Sequence, residues 1–126
     1  MKKLYLILIL IVFTIGYSQE VINTNQATVT WDEVIGISGV ISYEVFVRNR
    51  VTAEEISLTF ADAPPVVVTV SSEGDWDVGV RTIRQIDDQT LYSVMNWSNV
   101  NGVWTPNPFF LRYYIPPEPP MNLRPL

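Results

Sequence analysis

The stretch Trp76-Asp77-Val78-Gly79-Val80-Arg81-Thr82-Ile83 alternates between two kinds of side chain at period two, the pattern of a β-strand with one face in a core. Two earlier stretches, Ala27-Thr28-Val29-Thr30-Trp31-Asp32 and Ser42-Tyr43-Glu44-Val45-Phe46-Val47-Arg48, repeat it. Around them turn residues recur about every ten positions, the spacing of an all-β sandwich or barrel. No segment sustains a helical period. The reading gives strands over residues 20–23, 27–31, 41–49, 53–60, 66–70, 76–86 and 109–115. Pro64-Pro65 closes the fourth, because proline cannot donate to a ladder. Strand parity then turns Trp31, Tyr43, Val45, Val47, Trp76, Val78, Val80, Phe109, Leu111, Tyr113 and Ile115 inward.

Residues 1–18 stand apart from this pattern. Met1-Lys2-Lys3 is basic, residues 4–15 are nearly all apolar, and Gly16-Tyr17-Ser18 supplies small residues for cleavage. That is the layout of a secretory signal peptide, and the apolar run falls short of the ~20 residues that span a bilayer. The expected mature chain begins near Gln19 and is secreted: periplasmic, cell-surface or extracellular. It is one domain's worth of sequence, able to bury its own core without disulfides. With zero cysteines, a bacterial envelope or phage setting is expected. Losing Lys2 and Lys3 leaves six arginines against thirteen acidic residues, a formal charge of −7. Such a balance argues against nucleic acid and against anionic membrane surfaces as partners.

In order and spacing these strands resemble a fibronectin type III domain. Trp31 matches the tryptophan closing the family's second strand, and Tyr43-x-Val45 its aromatic–aliphatic pair. Trp76-x-Val78-x-Val80-Arg81-Thr82 matches its aromatic-x-hydrophobic-x-Val-Arg run, and Trp97-Ser98 its Trp-Ser before the last strand. The family usually carries tyrosine at the Trp76 position, tied by its hydroxyl to a corner, so an indole N–H here needs another acceptor. The insert at residues 102–108 is longer than usual. The resemblance implies an all-β, seven-strand, immunoglobulin-like two-sheet sandwich over residues 19–116. Residues 117–126 are then a proline-rich arm or the stub of a following module.

The chain has no histidine and no cysteine, which removes Ser-His-Asp and Cys-His catalysis and thiolate or imidazole zinc sites. No glycine-rich phosphate loop is present. Paired carboxylates remain, but on strand ends and loops rather than across a cleft as glycoside hydrolysis requires. No enzyme activity and no cofactor are expected. Glu73, Asp75 and Asp77 offer calcium-type oxygens around Gly74, in a spacing unlike a dedicated calcium loop, and read as a solvated acidic turn.

The outward sides of three strands place Phe46, Arg48, Arg81, Phe110, Arg112 and Tyr114 on one sheet face. Aromatic residues interleaved with arginine are the composition of binding hot spots. This face is the candidate surface for a protein or glycan partner. The expected function is a secreted, non-enzymatic interaction or adhesion module. The alternative is a decoration or connector subunit of a larger assembly, homo-oligomeric or part of a phage particle or surface appendage.

Overall fold

The computed structural model describes residues 19–126, so the leader expected over residues 1–18 lies outside the described residues. Nine strands follow in order: β1 (Glu20–Ile22), β2 (Gln26–Val29), β3 (Val40–Asn49), β4 (Glu55–Ala61), β5 (Val66–Thr69), β6 (Gly74–Ile86), β7 (Gln89–Tyr92), β8 (Asn96–Trp97) and β9 (Phe109–Tyr113). The larger sheet runs β1-β9-β6-β3-β4, with β7 and β8 also on β6; the smaller is β2-β5 alone. The protein is thus all-β with two sheets, consistent with a sandwich. β1 pairs parallel with β9, so the first strand joins the large sheet rather than the small one.

The core lies between the sheets. Val29 and Val68 from the small sheet meet Val45, Val47, Trp76, Val78 and Leu111 from the large one. These positions alternate along β3 and β6 as period two demands, and branched valines suit a pleated surface. Val80 and Tyr113 pack against this core while partly buried. Tyr43 is buried, and its hydroxyl accepts the Val34 N–H at 2.7 Å, which ties down the loop between β2 and β3.

Two sequence expectations are corrected. Trp31 does not fill the centre: β2 ends at Val29, and Trp31 is half-buried with its ring centroid 5.1 Å from that of Tyr43. The reason is the partner strand. Val29 pairs with Val66, so extending β2 would bring it against Pro65, which has no N–H to give. Ile115 is exposed rather than inward, because β9 stops at Tyr113 opposite Gly74, the first residue of β6. The centre belongs to Trp76, 2% exposed, whose indole N–H donates to the Ser72 carbonyl at 3.0 Å. That bond is the acceptor an indole N–H at this position needs. Trp76→Ala is expected to cost about 3–5 kcal/mol in denaturant unfolding, and Trp31→Ala less than half as much. Equal losses would return Trp31 to the core.

Candidate functional site

The outer face of the large sheet gathers the predicted arginines and aromatics, and occupies them with one another. Arg81 donates to Glu44, packs 4.2 Å from the Tyr92 ring centroid and lies 5.3 Å from that of Phe46. Arg48 stacks 4.0 Å over Trp97 and reaches Glu55 at 3.9 Å. Arg112 holds Asp75 at 2.9 Å. Arg50, which the sequence pattern did not single out, donates to Asp77 at 2.8 Å and lies 3.9 Å over Phe110. Such contacts are individually weak where solvent screens them. Their effect here is to leave every arginine of this face with both a carboxylate and a ring.

Several expectations change as a result. Phe110 has the outward parity expected of it but is 6% exposed, roofed by Arg50 and Arg112. Asp77 is not a solvated turn residue: it is 1% exposed and paired with Arg50. Asp75 is taken by Arg112, and Glu73 accepts the Ile115 N–H at 2.7 Å. The three carboxylates considered for calcium therefore each have a protein partner. Tyr114 is exposed and follows the end of β9, and Phe46 is half-buried beside Arg81.

Trp97 reaches this face because β6 has no side chain beneath it. A Cβ at Gly79 would lie 2.6 Å from Trp97 Cε3 and Cζ3. Ser98, next in sequence, clamps the same strand: its N–H donates to Val78 O at 2.7 Å and its Oγ accepts the Val78 N–H at 2.9 Å.

A second site was not anticipated. On the core side of β6, towards the β2–β3 loop, an open cleft of about 860 Å³ enters between the sheets. Its apolar walls include Trp31, Tyr43, Val80, Val94, Trp104 and Phe109. Trp104 is 69% exposed, yet its backbone is held: Asn96 Nδ2 donates to its carbonyl at 3.0 Å, and Thr105 Oγ1 donates to Asn96 Oδ1 at 2.6 Å. Trp31 Nε1 is buried without a hydrogen-bond partner, a costly state for an indole N–H. Asp32 is the one acid among the lining residues, and neither lysine nor arginine is present there. The sequence signal for this site was the long 102–108 insert, with Val103-Trp104 inside it.

Compared with family models, curated proteins and solved structures, the chain has no match.

Two measurements check the outer face. Gly79→Ala should lower stability by about 1–3 kcal/mol, the cost of overpacking, because the new methyl must lift Trp97 and loosen Arg48. An unchanged melting temperature would mean that Trp97 does not lie on β6. The second concerns acid. Hydrogen bonding from Arg112 holds the Asp75 carboxyl below its ordinary value of 3.8, against the opposing effect of desolvation. A depressed folded-state value contributes stability above the ordinary value and loses it as pH falls through the lowered one. Melting temperatures of the parent and Asp75→Asn should therefore differ slightly at neutral pH and converge below about pH 4. A gap that does not narrow as pH falls below 3.8 would refute the pairing.

Proposed function

We propose that this protein is a secreted, non-enzymatic interaction module on a fibronectin type III-like sandwich, and that it takes its ligand in the cleft rather than on the arginine face. The observation that carries this reading is the contrast between the two surfaces. Each arginine of the outer face already has a carboxylate and an aromatic ring, so a partner there would have to displace bonds worth as much as those it formed. The cleft instead offers an exposed indole on a fixed backbone, a half-buried second indole, and apolar walls. An apolar concavity of a few hundred cubic ångströms with a few polar groups is the usual form of a binding site.

Several features support the finer assignments. The Trp76 anchor to Ser72 reproduces the corner bond of immunoglobulin-like sandwiches, and the strand arrangement leaves β2 and β5 facing β9, β6, β3 and β4. The basic, apolar and small-residue run before Gln19 supports export. A single carboxylate in the cleft, in a chain without histidine or cysteine, supplies no acid–base pair and so favours binding over catalysis.

The test is a screen of the full chain against neutral oligosaccharides and extended or proline-rich peptides, read by tryptophan fluorescence. Trp104→Ala should weaken the hits at least tenfold while leaving stability within about 0.5 kcal/mol, as for other surface changes. Arg81→Ala should leave binding intact. Hits lost on Arg81→Ala and untouched by Trp104→Ala would move the site to the outer face.

A further inference from the structure

The cleft and the proline-rich segment lie at opposite poles of the sandwich. β9 begins at Phe109, which lines the cleft, and runs antiparallel to β6 until Tyr113 meets Gly74. The chain therefore leaves β9 heading away from the cleft. Between Gly74 and the lining residues of β6, from Val78 to Thr82, the strand covers roughly 13 to 26 Å at ~3.3 Å per residue. Pro116-Pro117-Glu118-Pro119-Pro120 follows at once, fully exposed and without a strand partner.

We propose that the cleft receives this proline-rich segment from a second copy of the chain. The inference rests on the reading of the cleft as the ligand site and names its occupant. Proline fixes φ near the polyproline value, so residues 116–120 hold an extended three-residue-per-turn helix before they meet anything. At that period Pro116 and Pro119 share one edge, and Pro117 and Pro120 the next. Glu118 falls on the third edge with Met121, away from both proline pairs. The segment thus presents a two-edged apolar ridge with its charge turned outward. Aromatic-lined grooves recognise ridges of this kind, because little conformational entropy is lost on docking.

The cleft has matching features. Trp31, Tyr43, Trp104 and Phe109 provide ring faces and edges for the proline rings. No lysine or arginine lines the cleft, consistent with an uncharged ridge rather than an acidic peptide. Folded back, the segment would bring only its last proline to the near rim of its own cleft at Val78 and Phe109. Five residues at ~3.1 Å each reach only about 16 Å, and they start in the wrong direction. Docking is therefore between copies, cleft of one to arm of the next, a heterologous contact that closes into a ring or extends as a filament according to the rotation between copies.

The four tryptophans serve as reporters: Trp31 and Trp104 in the cleft, Trp76 in the core and Trp97 on the outer face. A synthetic peptide of residues 115–123 is titrated into the ¹⁵N-labelled full chain. The indole N–H signals of Trp31 and Trp104 are expected to shift and saturate at high micromolar to low millimolar peptide, with those of Trp76 and Trp97 unmoved. Raising the salt concentration should not weaken the effect. Trp104→Ala in the protein, or Pro117→Gly with Pro120→Gly in the peptide, should weaken it at least fivefold. Unmoved cleft indoles at low millimolar peptide, or shifts confined to Trp97, would overturn the proposal. Parallel titration with cellohexaose separates the two readings: if the sugar alone shifts Trp31 and Trp104, the cleft remains a ligand site and the arm is not its occupant.

Discussion

β6 is a thirteen-residue strand at the middle of the large sheet, and one of its edges has no single partner long enough to satisfy it. β3 covers the other edge from Trp76 to Gln85 in unbroken register. On the first edge β9 pairs only from Gly74 to Trp76, β8 with Gly79 and Val80, and β7 from Ile83 to Ile86. Every backbone group left between these pieces would be an unpaired polar group in or near the core. Two serines fill the gaps in the same way. Ser98 gives its N–H to Val78 O and takes the Val78 N–H on its hydroxyl; Ser93 does the same for Thr82, at 2.9 Å each way. The splices allow the chain to leave and rejoin the strand without breaking the ladder.

The cleft follows from this arrangement and from a mismatch in length. β2 and β5 have four residues each, against ten for β3 and thirteen for β6. At ~3.3 Å per residue the small sheet covers about 13 Å, and the large sheet extends well beyond it. The proline pair before Val66 prevents the small sheet from growing towards the cleft. The inner side of β6 around Val80 and Thr82 is therefore roofed by loops alone. Asn96 fixes one of them, and the other is tied by Tyr43. Each side of the mouth is tethered by a side-chain hydrogen bond.

The long strands were legible because their alternation is nearly pure. Tyr43, Val45, Val47, Trp76 and Val78 point where period two puts them, and all are buried. Parity failed to predict burial where a side chain from outside the strand covers the surface. Phe110 and Asp77 have outward parity, but Arg50, one residue past the end of β3, covers one and neutralises the other. Nothing in their own strands encodes that. The β6–β7 turn was also invisible, because Asp87-Asp88 reads as an acidic loop; Asp87 takes φ 52°, a conformation that Asp tolerates in tight hairpins. Trp31 misled because a strand's length depends on its partner, and its partner is preceded by a proline pair. The cleft itself depends on loop packing, which no local pattern carries.

Charge decides which of the two surfaces can associate. The sequence from Gln19 onward carries seven more acids than bases, and the outer-face arginines Arg48, Arg50, Arg81 and Arg112 are already matched one to one by Glu55, Asp77, Glu44 and Asp75. The excess acid sits in loops, with Asp32 at the cleft and Asp62, Asp87 and Asp88 elsewhere. Two copies therefore repel one another at distances beyond their contact, and salt at physiological strength shortens that repulsion to about 8 Å. Attraction between copies has to come from uncharged surface, which the cleft concentrates around Trp104 and the outer face does not. A single apolar contact working against like charge is weak.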